Sequence, residues 1–180
     1  MLLYDANKLG DVMGAETLDV LKHRKQHRLA NGVVRRNVLW AATTGLVPIP
    51  VLDSAATVAV QLKMLAELSD VYGVKFNKSS GKSVIAALTS CITSGVLGRA
   101  LLSTGIFTSL AKVLPVVGST LGVLTMPGFN GAFTYALGKV FQQHYATGGT
   151  MLDFDPEKAE PAFRQKFKDG LKFNQDAKTA

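Results

Sequence analysis

The sequence predicts an all-α protein, a helical bundle built from apolar helical hairpins with a basic N-terminal helix and a charged C-terminal helix. Ala, Leu, Lys and Gln recur at helical spacings along most of the 180 residues. The alternation of apolar and polar residues that is typical of strands is absent from the sequence. Glycines and prolines stand where the helical patterns stop, so they divide the chain into successive helices.

The N-terminal part of the sequence predicts helices that lead into an apolar hairpin. Residues 5–28 form a mixed-charge helix, and an apolar helix follows over residues 33–40. Pro48 and Pro50 stop it, because proline cannot continue a helix. A second apolar helix over residues 51–72 then packs against the first around the proline turn. Its predicted core stripe consists of Ala55, Val58, Ala59, Leu62, Leu65 and Ala66.

A third helix is predicted after the hairpin. Gly73 ends the second apolar helix, and the next begins near Ser80 and continues past Arg99. Its many Ala, Ser, Thr and Gly residues allow neighbouring helices to approach closely. The segment that follows, "KVLPVVGSTLGVLTMPGF", is broken by Pro115, Gly118, Gly122 and Pro127.

Two helices close the predicted bundle. The last apolar helix ends at Gly148, a predicted C-cap, and Asp155-Pro156-Glu157 starts the final helix with a cap, a proline and a carboxylate. The core stripes are Phe129, Phe133, Leu137 and Phe141 in the first of these helices, and Phe163, Phe167 and Leu171 in the second. We therefore divide the chain into a basic N-terminal helix (1–32), an apolar helical domain (33–156) and a charged C-terminal helix with a frayed tail (157–180).

The distribution of charge indicates either a membrane protein or an unusually apolar bundle. Hydrophobic residues make up 47% of the chain and charged residues only 18%, against about a quarter in ordinary soluble domains. No Asp or Glu occurs in residues 71–152, and residues 113–138 carry no charge at all. That uncharged stretch is long enough to cross a hydrocarbon core of about 30 Å as a helix. It is either a membrane helix or the buried centre of a bundle.

Residues 81–83 read Gly-Lys-Ser, the end of a phosphate-binding loop. The complete loop needs a glycine five residues before Gly81, and that position is Phe76. We interpret the segment instead as a helix start with Ser79 or Ser80 as the cap and Gly81 in the first turn. The chain is predicted not to bind ATP or GTP by itself.

Other candidate chemistry is incomplete. His23 and His27 have the spacing of two metal ligands but lack a third, and basic residues surround them. Ser79 with Lys82, and Ser109 with Lys112, match a serine–lysine acylation motif whose partner motifs are missing. Asp153 and Asp155 are paired carboxylates, but capping accounts for Asp155. The sequence therefore predicts no catalytic, cofactor-binding or metal-binding residue and no enzyme.

A run of basic residues precedes the first apolar helix. No acidic residue occurs between Asp19 and Asp53. An anionic lipid surface is the first interpretation, because an apolar helix follows at once and each nearby cation adds about 1 kcal/mol. A solvated face is the second and nucleic acid the third, without a reader motif to support it. The predicted membrane-surface residues are Lys22, Arg24, Lys25, Arg28, Arg35 and Arg36.

Two charged residues lie in apolar surroundings, one in the hairpin and one in the third predicted helix. Asp53 follows Pro48 and Pro50, and Arg99 interrupts another apolar stretch. An unpaired charge in a bundle or bilayer core is costly, so each residue needs a partner or polar surroundings. Asp53 either caps the second apolar helix or neutralises a buried cation such as Arg99 or Arg36; Arg99 alternatively extends from a helix end to polar surroundings.

Four segments together resemble the YcjF-type bacterial domain-of-unknown-function family: "RRNVLWAATTGLVPIPVLD", "AVQLKMLAELSDVYGV", "GKSVIAAL" and "YALGKVFQQHYATGGTMLDFDP". The resemblance covers residues 33–156. Members of that family occur fused to, or encoded beside, small Era-like or dynamin-like GTPases, and many are described as membrane proteins. The resemblance implies a helical, membrane-associated partner of a GTPase, although this chain carries no GTPase domain of its own.

The leading hypothesis is a non-enzymatic, membrane-associated helical module that docks or anchors a partner, a small GTPase. The alternatives are a self-assembling structural or pore-forming membrane protein, and a soluble bundle that holds an apolar ligand. Homo-oligomers are compatible with these hypotheses, and no cofactor or nucleic acid is expected. The single Cys91 cannot form an internal disulfide, and the N-terminus lacks a secretory signal. We expect the bacterial inner (cytoplasmic) membrane, an even number of crossings and both termini in the cytoplasm.

Overall fold

The computed structural model describes the backbone of residues 2–44, 50–104 and 126–179, and the side chains of residues 17–42, 55–92 and 128–172. Within these ranges the chain forms α-helices and no strand, as the sequence predicts. The helices are α1 (Leu2–Thr44), α2 (Pro50–Tyr72), α3 (Lys78–Thr104), α4 (Met126–Ala146) and α5 (Pro156–Thr179).

Helix α1 is continuous over 43 residues. The prediction of two separate helices over residues 5–28 and 33–40 is therefore wrong. The basic run between the two predicted helices contains no proline that could end a helix. Gly32 alone lowers helical stability by only about 1 kcal/mol, so it does not interrupt α1. The division into residues 1–32, 33–156 and 157–180 stays a prediction, although α1 runs through its first boundary.

Helix α4 is the centre of the bundle, and its contacts with α1, α2 and α5 show the direction in which each of these helices runs. Ring centroids of Phe133 and Phe163 lie 5.1 Å apart, and those of Phe129 and Phe167 lie 5.3 Å apart, so α4 and α5 are antiparallel. Helix α1 packs antiparallel to α4, and α2 packs parallel to α4. Because α2 and α4 are parallel, their C-terminal ends meet at one end of the bundle.

The core is built mainly from aliphatic and aromatic side chains, and all five helices contribute to it. Phe133, Leu137, Phe141, Phe163 and Phe167 are buried, which confirms most of the two predicted C-terminal stripes. Complete burial of one such side chain contributes about 1.5–3 kcal/mol. Phe129 and Leu171, at the edges of these stripes, are partly buried.

The core stripe of α2 differs from the prediction. Leu62 and Leu65 are buried as expected, but Ala55 and Ala59 are exposed. The buried face also includes three polar residues, Thr57, Gln61 and Ser69. Polar partners on α4 make this burial possible, and a pattern of apolar residues alone cannot indicate them.

The ends of the helices follow local chemistry. Gly73 and Gly148 have φ values of 69° and 86°, which confirms their predicted roles at the ends of α2 and α4. The Asp155 carboxylate accepts hydrogen bonds from the amides of Glu157 and Lys158 at 3.0 and 3.2 Å, so the predicted cap of α5 is also confirmed.

The cap of α3 is Asn77, and the prediction of Ser79 or Ser80 is wrong. The Asn77 side-chain oxygen accepts hydrogen bonds from the amides of both serines at 3.0 Å. Helix α3 therefore begins at Lys78, two or three residues before the start that a cap at Ser79 or Ser80 would give. Gly81 lies in the first turn of the helix, as predicted.

Among the described residues, no helix is both long and apolar enough to cross a membrane. The uncharged stretch of residues 113–138 lies partly outside the described ranges. Its second half belongs to α4, and the side chains from Gly128 to Gly138 are buried or half-buried in the bundle. Of the two alternatives for this stretch, a membrane helix or the buried centre of a bundle, the second describes this half.

Candidate functional site

The six predicted membrane-surface cations lie on the exposed side of α1, which we call the basic face (Lys22, Arg24, Lys25, Arg28, Arg35 and Arg36). All six side chains are exposed. The opposite side of the same helix supplies the core residues Ala30, Val34, Val38 and Ala41. Arg36 forms an ion pair with Glu67, whereas none of the other five pairs with a described carboxylate. The basic face therefore presents concentrated positive charge to the outside.

Large apolar side chains are interspersed with these cations. Their exposed fractions are 69% for Leu18, 55% for Leu21, 49% for Leu29, 55% for Leu39 and 59% for Trp40. Exposed Leu and Trp beside Lys and Arg are typical of helices that lie at a lipid–water interface. A solvated face requires only the charges, so the exposed leucines favour the lipid-surface interpretation over it.

A polar network attaches the basic face to α2. Asn37 is fully buried and donates a hydrogen bond of 2.7 Å to Glu67, which also contacts Arg36 at 3.0 Å and Lys63 at 3.4 Å. Partial burial raises the pKa of Glu67, but the hydrogen bonds from Asn37 and Arg36 and the two nearby positive charges outweigh it and lower the pKa. Glu67 is therefore held as a carboxylate that orients Arg36.

The basic face continues past the shared C-terminal end of α2 and α4. There, a cavity of about 350 Å³ is lined by His23, Arg24, His27, Tyr72 and Ala146. Gln142 donates to the His27 carbonyl at 3.4 Å, and Gln26 donates to the Val71 carbonyl at 3.3 Å. Helix C-terminal ends carry partial negative charge, so the nearby cations of α1 stabilise this arrangement.

A buried polar seam joins α2 to α4. Asn130 donates to Thr57 at 3.2 Å, and Gln61 donates to Thr134 at 3.4 Å. One further pair, Ser69 to Tyr145 at 3.1 Å, lies nearer the C-terminal ends. Burial raises the pKa of the Tyr145 hydroxyl, despite its hydrogen bond with Ser69, so it stays a neutral hydrogen-bonding group. These pairs fix the register of the two parallel helices.

Lys139 is the one Lys or Arg of α4, and it lies half-buried beside α1. Its ammonium group donates hydrogen bonds to the side-chain oxygens of Asn31 and, at 3.4 Å, Gln142. It also lies 5.7 Å from the centroid of the Tyr135 ring. Burial, and then the positive charge of Lys166, lower the pKa of Lys139.

The residues of the Gly-Lys-Ser motif have structural explanations. A Cβ atom on Gly81 would lie 2.9 Å from Leu62, so the glycine allows α3 to approach α2. Lys82 and Ser83 are exposed on α3, and the Ser83 hydroxyl donates to the Ser79 carbonyl. The Ser79 hydroxyl donates to Asn77 at 2.7 Å. Ser109 and Lys112 lie outside the described residues.

The other polar candidates also have local partners. His23 contacts Asp19 at 3.6 Å, and a ring nitrogen of His27 lies 3.1 Å from the Asn31 amide. Asp153 accepts a 2.6 Å hydrogen bond from the Thr150 amide, which lowers the pKa of Asp153. In the described part of the chain, no three His, Cys, Asp or Glu residues lie close enough to hold a metal ion.

The predicted hairpin charges are not tested by the structure. Pro48 lies outside the described residues, Pro50 is the first residue of α2, and Asp53 is the fourth. The side chains of Pro50, Asp53 and Arg99 lie outside the described ranges. The pairing of Asp53 with a buried cation thus stays a prediction.

Sequence reasoning missed the seam residues, the Glu67 network and the position of Lys139. Thr57, Gln61 and Ser69 recur at intervals of four and eight residues, a helical spacing that could have indicated a polar stripe. For Lys139, the available signal was its position as the sole charge in residues 113–152. Its neighbours on α1 are more than a hundred residues away in sequence, so the contact itself was not predictable.

Comparison with known proteins gives a domain family and a relative. A family model described as "Domain of unknown function (DUF697)" matches residues 9–169. The chain is 37% identical over 142 residues to Magnetosome membrane protein 22 of Magnetospirillum gryphiswaldense; the match covers 79% of this chain and 70% of the relative. No solved structure matches the chain at a significant level.

Proposed function

The chain belongs to the DUF697 family, and on that premise we propose that it is a non-enzymatic, membrane-associated helical module that docks or anchors a protein partner. The basic face of α1 is the observation that carries the proposal. Its six cations and five exposed Leu and Trp side chains fit an anionic lipid surface. The relative named a magnetosome membrane protein supports membrane association.

Two physical effects act together in this proposal. Each Lys or Arg near an anionic surface contributes about 1 kcal/mol, an effect that salt weakens. Insertion of leucine side chains and the Trp40 ring adds an apolar contribution that salt does not remove. The Asn37–Glu67–Arg36 network joins α1 to α2, and the seam joins α2 to α4, so binding of α1 would orient α2 and α4 relative to the lipid.

The proposed partner is a small GTPase, and this finer step rests on the resemblance to the YcjF-type family. Gly81 serves helix packing in this chain, so a nucleotide-driven cycle would have to come from the partner. We expect the purified protein to retain an Era-like GTPase from the same genome more strongly in one nucleotide state than in the other. Equal absence of binding with GDP and with a non-hydrolysable GTP analogue would contradict the GTPase assignment while leaving the membrane role standing.

Vesicle flotation tests the membrane role. The variant Lys22→Gln/Arg24→Gln/Lys25→Gln/Arg28→Gln removes four charges from the basic face and spares Arg36, which pairs with Glu67. We expect wild-type protein to float with vesicles of phosphatidylethanolamine and phosphatidylglycerol, and the variant to bind at least about tenfold more weakly. Neutral phosphatidylcholine vesicles should retain far less wild-type protein.

The matched control removes the same number of exposed charges elsewhere. Lys75, Lys78, Lys82 and Lys168 are all exposed, and none lies on α1. Their combined change to Gln should leave flotation close to the wild-type level. Equal loss in both variants would mean that net charge alone determines binding, and the basic face would then lose its special role.

A further inference from the structure

Helix α4 is buried on nearly all sides but keeps one open stripe. Tyr135 and Lys139 are half-buried and Gln143 is exposed, at successive intervals of four residues along one side of the helix. On one flank of this stripe, Lys139 contacts Asn31 of α1. On the other flank, Gly170 of α5 lies so close that a Cβ atom there would be 3.1 Å from the Tyr135 ring. The stripe therefore lies between α1 and α5.

Lys139 has unused binding capacity in this stripe. A lysine ammonium group has three N–H donors, and the structure assigns two of them to Asn31 and Gln142. Both acceptors are neutral amides. No described carboxylate forms an ion pair with Lys139, although burial of an uncompensated charge is costly. One donor and the positive charge remain for an anion.

Further cations lie on both sides of this stripe. Arg28 and Arg35 stand three residues before and four residues after Asn31, so both lie on the side of α1 that faces Lys139, and both are exposed. On α5, Lys166 is close enough for its charge to act on Lys139. Lys166 contacts Asp169 at 3.6 Å, the one described carboxylate that pairs with any of these four cations.

We propose that Lys139, Arg28 and Arg35 form a binding site for the phosphate group of an anionic phospholipid. This inference rests on the proposed membrane role and specifies where the bundle recognises a headgroup. The neighbouring surface favours a lipid over free phosphate. Leu39 lies one turn beyond Arg35 on the same side of α1 and is 55% exposed, which provides an apolar contact for an acyl chain. The Tyr135 ring, beside the Lys139 ammonium group, provides a second apolar contact.

Titration with a soluble lipid tests the site without a membrane. The probe is dihexanoyl phosphatidylglycerol below its critical micelle concentration, with binding followed by calorimetry. We expect Lys139→Met to bind it about tenfold to a hundredfold more weakly than wild type, because a charge-assisted hydrogen bond is lost. Lys139→Arg should retain most of the affinity. The matched control is Lys82→Gln, an exposed cation on α3 that should bind like wild type.

Two further measurements keep the proposal open to refutation. If Lys139→Met does not fold, Arg28→Gln/Arg35→Gln replaces it, because both arginines are exposed. In whichever variant is measured, loss of binding supports the site and wild-type affinity overturns it. Inorganic phosphate and dihexanoyl phosphatidylcholine should bind at least about tenfold more weakly than the anionic lipid. Inorganic phosphate binding as tightly as the lipid would overturn the lipid assignment.

The outcome is separable from that of vesicle flotation. Wild-type protein that floats with anionic vesicles but binds the soluble lipid independently of Lys139 contradicts this site and leaves the membrane role standing. Protein that fails to float but binds the soluble lipid through Lys139 supports the site and contradicts the membrane role.

Discussion

Gly138 illustrates how a single residue determines the packing of three helices. A Cβ atom at this position of α4 would lie 2.7 Å from a methyl group of Val34 on α1 and 3.1 Å from the sulfur of Met64 on α2. Valine cannot yield easily, because its branched side chain has one strongly preferred rotamer in a helix. The absence of a side chain at Gly138 thus allows α1 to lie directly on α4.

We expect Gly138→Ala to lower the free energy of unfolding by up to about 2 kcal/mol. Overpacking costs about 1–3 kcal/mol, and the higher helix propensity of alanine offsets about 1 kcal/mol of it. The control is Gly32→Ala, on the exposed side of α1, where nothing lies within 4 Å of the added Cβ. That variant should gain about 0.5–1 kcal/mol. Urea unfolding followed by circular dichroism measures both, and equal stabilisation in the two variants would contradict the close contact.

The lowered pKa of Glu67 predicts that the free energy of unfolding depends on pH. Its folded-state pKa is lowered from the ordinary 4.5, so its stabilising contribution is complete above that value and is lost as the pH falls through the folded-state pKa. We expect wild type to be more stable than Glu67→Gln near neutral pH. The difference should shrink towards zero as the pH is lowered from about 5 to about 3. Urea unfolding over this range provides the measurement, and a difference that grows on acidification would refute the assignment.

Some residue roles were predictable because they depend on local chemistry. Gly73, Gly148 and Asp155 act at helix ends through contacts within a few residues, and the sequence alone identified all three. Asn77 was missed although its role is equally local, because a neighbouring pair of serines offered a competing cap. Lys139 depends on a contact with a distant helix, so no local rule could place it.

At the scale of elements, the α2–α4 seam explains why α2 was only partly predicted. The prediction followed apolar residues and so placed Ala55 and Ala59 in the core, where the structure has Thr57 and Gln61. A polar residue enters a core only with a partner, and the partners here belong to α4. By contrast, the aromatic stripes of α4 and α5 were predictable, because apolar periodicity alone determines them.

A double-mutant cycle tests the energetic role of the seam. Thr134→Val removes the acceptor of the buried Gln61 amide and should cost about 1–3 kcal/mol of stability. Adding Gln61→Leu removes the unsatisfied donor as well, so the double variant should recover most of that loss. Independent, additive effects of the two changes in urea unfolding would show that the hydrogen bond does not couple α2 to α4.

Over the described part of the molecule, the beginning of α1 and the end of α5 lie at opposite ends of the bundle. Helices α1 and α5 are both antiparallel to α4, so they run in the same direction, and α5 finishes far from where α1 begins. A bundle that spanned a membrane with all three helices would place the two chain ends on opposite sides. The charge distribution instead predicts that both ends lie on the same side of the membrane, because basic residues are concentrated both in α1 and in α5.

We therefore expect both termini to face the cytoplasm, since basic segments near a membrane are retained on that side. Fluorescent-protein fusions at Met1 and at Ala180 should both be fluorescent in a bacterial host. Alkaline phosphatase, which is active only after export, should be inactive at both ends. The control is the same pair of reporters on a membrane protein of known orientation. Phosphatase activity at Ala180 alone would contradict the prediction, and it would mean that the chain crosses the membrane an odd number of times.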